Sequence, residues 1–288
     1  MATAAHDARA VTRATSPPRQ ALPKSQPHRP SISVVVPTLN EAGNVRRAVE
    51  SALACASTSA PSLEVIVVDG GSVDDTVSVA RDAGATVISA PKGRASQCNA
   101  GARHAKGSVL LFLHADSTLP FGWDTHVDET FVNCTGTGKR IEWGTFRFAL
   151  SDGKDDARRK HHSLFNLITR AVPRNIVQTS VNLRTQLLSQ PYGDQGLIVR
   201  KDVFESLGGF KSNMPFLEDV EFVQRLRKQS VPAILPVPVT TSSRRFDKLG
   251  YVKTSLINNG IIAAYHGGVP VDTLQRWYVK ARRMGGDV

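Results

Sequence analysis

The sequence predicts an α/β protein with a mostly parallel central sheet covered by helices on both faces. Two observations carry this. Four short runs, ISVVVP (32–37), LEVIVVD (63–69), ATVISA (85–90) and SVLLFLHA (108–115), are apolar at consecutive positions, as strands buried on both faces are. Between them lie segments of helical period. The first, EAGNVRRAVESALACA, has Val45, Ala48, Val49 and Ala52 on one face. Ser72 with Asp75 three residues on reads as a capping box opening a helix to about Asp82, and Arg94 to Ala105 reads as the next helix.

The second half is less regular. WGTFRFAL (143–150) alternates like a half-buried strand, and DGKDDARRKHH is a charged loop expected to lead into a helix through about Ala171. GLIVR reads as a strand and KDVFESLGGF as a short helix closed by Gly208 and Gly209. EDVEFVQRLRKQ is an amphipathic helix with acids in its first turn and bases in its last, as the helix dipole favours. VPAILPVPVTTS, with three prolines, is an extended edge, and the last 40 residues read as helical and basic. No internal repeat is visible.

Composition narrows the function classes. The 288 residues are 41% hydrophobic and 21% charged, enough for a packed core, with a net charge of +11 that favours an anionic partner. The three cysteines, Cys55, Cys98 and Cys134, form no CxxC pair, so neither a disulfide framework nor a zinc cluster is expected and a reducing compartment fits. No apolar run reaches the ~20 residues of a membrane span, and Ser255 to Val269 reads as amphipathic. Residues 1–30 hold five Arg or Lys, five prolines and a single acid, Asp7. That composition suits a disordered tail or an organelle transit peptide, hence a cytoplasmic or a plastid or mitochondrial location. The expected organisation is this tail, a main domain over 31–250 and a helical extension over 251–288.

In parallel sheets ligands bind beyond the carboxyl ends of the strands. Four such ends matter: Pro37 to Glu41, Asp69 to Ser72, Ala90 to Arg94, and His114 to Asp116. Three carry an acid, and acids gathered at one edge repel unless a cation or a polyhydroxyl ligand lies among them. Asp69, before two glycines, is either a turn residue or an acceptor for a base or ribose hydroxyl. Asp116 suits a divalent cation bridging two phosphates, and His114 is either a second ligand or a packed histidine. Lys92, Gly93 and Arg94 precede a helix, where an anion is favoured, and Asn99 within that helix needs a polar partner. Glu218 and Asp219 either stabilise a helix start or supply a general base. Arg244 and Arg245 suit bidentate phosphate binding or a solvated surface.

The set as a whole resembles the inverting glycosyltransferases of family 2, which have the GT-A fold. The resemblance rests on VVVPTLNE (34–41), VVDGGSVDDT (67–76), GRASQCNAGARHAKG (93–107), LLFLHAD (110–116), GDQGLIVRKDVFESLGGF (193–210) and FLEDVEFVQRLRK (216–228), in the family's order over residues 31 to 250. Details such as GRA, HAD and GDQ are most similar to the subgroup labelled rSAM/selenodomain-associated. The resemblance implies a nucleotide-sugar donor, Mn²⁺ or Mg²⁺ as cofactor, and an acceptor that is lipid-linked or a small molecule. It leaves room for peripheral contact with a membrane and implies no nucleic acid.

Carried over residue by residue, Asp116 would hold the metal against the diphosphate, with His114 standing where the family has the first Asp of its DxD motif. Pro37, Asn40, Glu41 and Asp69 would lie along the nucleoside, with Gly93, Arg94 and Asn99 on the donor side. Asp194 and Gln195 would shape the donor-sugar or acceptor site. Asp219, next to Glu218, would be the base, and Arg244 and Arg245 would neutralise the leaving diphosphate. Two other classes are weighed against this one. A Mg²⁺-dependent phosphohydrolase would use Asp69 but lacks a second Asp two residues on, where Gly71 stands. A non-catalytic basic protein binding nucleic acid or a membrane surface fits the charge. With 6% aromatic residues and no run of aromatics among bases, stacking on nucleic acid is disfavoured.

Overall fold

A computed structural model describes residues 32–54, 63–131, 140–151, 174–244, 246 and 250–283. The tail, the charged loop with the helix expected through Ala171, and Arg245 lie outside the described residues. The strands are β1 (Ile32–Thr38), β2 (Leu63–Asp69), β3 (Thr86–Ser89), β4 (Val109–Phe112), β5 (Ser117–Thr118), β6 (Trp143–Leu150), β7 (Leu197–Arg200) and β8 (Ala233–Thr241). They form one sheet in the order β3-β2-β1-β4-β7-β6-β8-β5. The first four are parallel neighbours, β7 runs antiparallel between β4 and β6, and β6 and β8 pair in parallel.

Period two resolves the apolar runs into two faces. Val34 and Val36 of β1, Val65 and Val67 of β2, and Val109 and Leu111 of β4 face one core, which α1 (Val45–Ala54) and α4 (Trp123–Phe131) cover. Val35, Ile66, Val68, Leu110 and Phe112 face the other, under α3 (Arg94–His104) and the helices Lys201–Ser206 and Glu218–Arg227. On this second face Phe112, Phe204, Phe210 and Phe222 form a ring cluster with centroids 4.8 to 5.5 Å apart.

Two features of α3 fix the strand tips. Gln97, buried, donates from its amide nitrogen to the carbonyls of Thr38 and Val68, each at 2.7 Å, and so ties the ends of β1 and β2 to the helix. Gly101 lets the helix lie close to the sheet: a Cβ there would stand 3.0 Å from Val68 Cγ2 and closer still to Val35 Cγ1.

Three expectations are corrected. The helix after β2, α2 (Thr76–Asp82), has Asp75 as its cap residue and no side-chain capping bond. Ser72 instead donates its hydroxyl to Asp69 at 2.5 Å, and its oxygen accepts from Asn40 N at 2.9 Å, which turns it away from the helix N-terminus. β4 ends at Phe112, not at the histidine: Leu113 N still donates to Val35 O, then the chain turns, with Ser117 N donating to His114 O at 3.0 Å. The apolar segment near 255–269 is the helix Tyr251–His266, which buries Thr254, Ile261 and Ile262 but leaves Leu256 68% exposed, so it is only weakly one-sided. A second helix, Val271–Arg283, packs against it, and among the described residues no helix is long and apolar enough to cross a membrane.

The helix Glu218–Arg227 is anchored by charge as well as by its phenylalanine. Buried Glu221 accepts from Arg225 at 2.7 Å and pairs with Lys211 at 2.8 Å, while Arg225 donates onward to the carbonyls of Leu207 and Gly209. Burial works to raise the Glu221 carboxyl, but the bonds from Arg225 and Lys211 outweigh it and hold the group below the usual carboxylate range. A depressed folded value means stability that is present above the ordinary carboxylate range and lost as pH falls through the folded value.

Two outcomes are expected. Glu221→Gln should cost about 2 kcal/mol in denaturant unfolding at pH 7, with a gap from wild type that narrows as the pH falls below about 4. Gly101→Ala should cost about 1–3 kcal/mol through overpacking against Val35 and Val68, read as a fall in the urea midpoint with an unchanged slope.

Candidate active site

The strand register delivers polar side chains to one edge. Thr38 of β1 pairs with Asp69 of β2, so the loops after both strands leave the sheet side by side. Asn40, with φ 54, is in the left-handed region that Asn tolerates; its side chain accepts from Val73 N and its own N–H donates to Ser72, each at 2.9 Å. Glu41 N donates to Thr76. On the other side of β1, the turn after β4 carries His114 and Asp116 into the two-residue strand β5, which pairs antiparallel with the end of β8 as Ser117 with Thr241. Ser242 N then donates to Asp116 O at 3.0 Å. This pairing places Arg244 over two carboxylates 128 and 203 residues away in sequence. Its terminal nitrogen reaches Asp116 at 3.2 Å and Glu41 at 3.3 Å. Partial burial works against the guanidinium charge, and the two carboxylates more than offset it.

The third contribution comes from the start of Glu218–Arg227. Leu217 adopts φ 62, ψ 18, a left-handed conformation that costs a branched residue roughly 1–2 kcal/mol. The reversal sends Glu218 inward and leaves Asp219 at the cleft. Glu218, with a side chain only 6% exposed, pairs with Arg94 at 2.5 Å. Burial raises the Glu218 carboxyl, Asp219 beside it adds to the rise, and Arg94 opposes it. Arg94 also donates to His114 Nε2 at 3.5 Å. Asp219 accepts from Gly193 N at 2.7 Å and from Val220 N at 2.8 Å, which fixes the orientation of its carboxylate. Gly193 is wedged between the two functional candidates. A Cβ there would meet Asp219 Oδ2 at 2.8 Å and His114 Nε2 at 2.9 Å, so only glycine lets them approach this closely.

These groups line a cleft of about 610 Å³. Of the residues expected at the site, Glu41, Arg94, His114, Asp116, Asp194, Asp219 and Arg244 line it. The others sit behind it or beside it. Pro37 is inside β1. Asp69 is 5% exposed, and both of its carboxylate oxygens accept from its own turn, at Gly71 N, Ser72 N and the Ser72 hydroxyl. That arrangement speaks against Asp69 as a phosphoryl-accepting nucleophile. Gly93, with φ 134, opens α3 in a conformation that suits glycine. Asn99 is bonded both ways to Phe210, through Phe210 N at 2.9 Å and Phe210 O at 2.7 Å, and so holds the loop after Lys201–Ser206. Gln195, fully buried, accepts from Thr185 and Tyr192 N and braces the turn that presents Gly193 and Asp194.

Sequence reasoning missed the far wall. Tyr192, Phe216, Asn258, Ile261, Ile262 and Tyr278 also line the cleft, the last four from the two C-terminal helices. Apart from Asn258 their apolar or aromatic character was visible, but nothing in their spacing says which way the helices face.

Among the described residues no three His, Cys, Asp or Glu side chains converge as a metal cage. The donor set on the cleft, the Asp116 carboxylate with the His114 imidazole nearby, is too small to hold a bare cation. It fits one that brings further oxygens with it, as a cation bound to a diphosphate does.

The model of glycosyl transferase family 2 matches residues 33–207. Among curated proteins, glycosyltransferase AglE of Haloferax volcanii is 26% identical over 204 residues, covering 68% of this chain and 61% of AglE. Protein RfbJ of Shigella flexneri is 32% identical over 92 residues, 32% of this chain and 68% of RfbJ. Among solved structures, S. aureus TarS residues 1–349 in complex with UDP superposes with a TM-score of 0.52 at 17% identity, over 74% of this chain and 60% of that one. The mannosyltransferase PcManGT of Pyrobaculum calidifontis, in complex with GDP-Man and Mn²⁺, gives 0.50 at 18% identity, over 90% and 74%. The chain thus spans about three fifths of the length of AglE and of the TarS fragment. With the matched region covering well over half of its residues, and with this sheet order and its flanking helices, the chain belongs to glycosyl transferase family 2 and has the GT-A fold.

Proposed function

We propose that the protein transfers a sugar from a nucleotide-sugar donor to an acceptor hydroxyl, with inversion at the anomeric carbon and with Mn²⁺ or Mg²⁺ accompanying the donor. The observation that carries this is the pairing of Asp219 with Asp116 and Arg244 on one cleft. A carboxylate oriented by Gly193 N faces a second region where a carboxylate and a guanidinium can receive a metal-bound diphosphate. The family supports the class of reaction, and the UDP of the TarS complex and the GDP-Man and Mn²⁺ of the PcManGT complex support the class of donor.

Inversion is a single in-line displacement. Asp219 takes the proton of the acceptor hydroxyl as its oxygen bonds to the anomeric carbon, and the bond from that carbon to the diphosphate oxygen breaks with its electron pair. A divalent cation, when bound, supplies charge stabilisation at the departing diphosphate. Asp116 would hold it, with His114 beside it. Arg244 would turn from the carboxylates toward the phosphate oxygens, a bidentate partner for which guanidinium is suited. Glu218 acts as a positioning residue: its ion pair holds Arg94 against His114. Glu41 lies where a nucleoside would pass, and Asp194 at the turn beneath the donor sugar. The GRA, HAD and GDQ details support placement in the rSAM/selenodomain-associated subgroup. Residues 31–250 would form the catalytic domain and 251–288 an extension that completes its cleft.

Asp219→Asn should lower transfer by about 10²–10⁴-fold while nucleoside diphosphate affinity is retained; unchanged turnover would remove Asp219 as the base. Thermal unfolding with UDP, GDP, CDP, TDP and ADP, each with Mn²⁺, Mg²⁺ or chelator, should show one nucleotide stabilising the fold by ~2.7 kcal/mol at a hundredfold excess over its Kd. In Asp116→Asn the metal-dependent part of that shift should vanish. Equal shifts with metal and with chelator in the wild type would count against the metal role.

A further inference from the structure

The cleft has two chemically different halves, and nothing in the proposed transfer reaction alone requires this. One half is ionic: Arg244 spans Asp116 and Glu41, and Arg94 reaches His114. The other half is built from a separate hydrophobic cluster. Leu217, Val220, Ile261, Ile262 and Leu274 are its buried core, and Tyr192, Phe216 and Tyr278 pack against it. Of these, all but Leu274 open onto the cleft. The rings of Phe216 and Tyr278 stack with centroids 5.6 Å apart, and Tyr192 lies under the Arg184 guanidinium at 3.5 Å, so these rings are held rather than loose.

The seam between the halves passes through the proposed base. Gly193 N and Asp219 stand on the ionic side, and their chain neighbours Tyr192 and Val220 belong to the apolar cluster. A hydroxyl presented to Asp219 from the side of Tyr192 and Val220 therefore has its carrier against aliphatic and aromatic carbon. Among the described lining residues from that cluster and the two C-terminal helices, the polar side-chain groups are the Asn258 amide and the two tyrosine hydroxyls. A polyol or sugar acceptor buried there would leave most of its hydroxyls without partners, at a cost of roughly 1–3 kcal/mol each. An apolar body is instead favoured by about 25 cal/mol per Å² removed from water.

We infer that the acceptor is an alcohol whose hydroxyl is carried on an apolar body, aliphatic or aromatic, seated against Ile261, Ile262, Phe216 and Tyr278. The inference rests on the transferase reading and adds the class of acceptor to it. It also gives the two C-terminal helices a function: they are the acceptor wall.

The test uses the full chain and direct binding, so it needs no donor sugar. Affinities for 1-octanol, 2-phenylethanol and glycerol are measured by ligand-observed NMR titration, alongside the nucleoside diphosphate that shifts the melting temperature. At least one of the two apolar alcohols should bind at least tenfold more tightly than glycerol. A preference for octanol assigns an aliphatic body, and a preference for phenylethanol an aromatic one. Tyr278→Ala, at a half-buried position, and Ile261→Thr, which replaces an ethyl group by a hydroxyl, should each weaken the preferred alcohol at least tenfold and the nucleotide by a clearly smaller factor. Glycerol bound as tightly as the apolar alcohols overturns the inference, as does an apolar alcohol that neither variant weakens. Nucleotide binding that persists in those cases leaves the transferase reading standing. If no nucleoside diphosphate binds, the transferase reading falls and the acceptor assignment falls with it.

Discussion

Carboxylates brought to one edge of a parallel sheet repel one another, and the arrangement of this site follows from how that repulsion is relieved. Asp116 and Glu41 leave the ends of β4 and β1, which the sheet register holds as neighbours. Arg244 lies between them and bonds to both. It does so because β8 runs past the β4 turn and pairs with β5, so that the chain emerging from Thr241 must cross the acidic edge. The same guanidinium is suited to a diphosphate. Under the proposed transfer, donor binding would be an exchange of partners for a cation that is already there, with a metal brought by the phosphates taking its place beside Asp116.

A second constraint governs the proposed base. Three groups need to come close: the Asp219 carboxylate, the His114 imidazole and the backbone at 193. They converge because residue 193 has no side chain, because Gln195 pins the turn from behind, and because Leu217 accepts a left-handed conformation that separates the destinations of Glu218 and Asp219. Strain and a buried ion pair are concentrated within a few residues of Asp219. That is where such costs are expected to be tolerated, since the surrounding phenylalanine cluster and the Glu221–Arg225 network hold the helix firmly.

Several residues read from motifs brace the scaffold. Asp69 closes the turn after β2, Asn99 clamps the loop at Phe210, and Gln195 braces Gly193. Each belongs to a motif of the resemblance, and each makes hydrogen bonds to the protein itself. A motif records that a residue type is needed at a position. It does not distinguish a residue that meets the ligand from one that shapes the loop which does. Polar residues near a strand end satisfy both descriptions until their partners are known.

The strands, the helices between them and the edge that carries the chemistry were legible from the chain alone. Consecutive apolar positions and helical spacing are local patterns, and parallel β-α-β connections oblige successive strand ends to point the same way. Asp116 could be named from its place just past a strand end, whereas Asp219 as a base and His114 in the metal motif came from the family resemblance. Only the tertiary structure decided that Arg244 sits over Asp116, that Glu218 turns inward, and that the C-terminal helices wall the cleft with Ile261, Ile262 and Tyr278. Those facts depend on contacts between segments from about 60 to 200 residues apart, set by the pairing of β5 with β8 and by how helices pack. No spacing within a single segment encodes them.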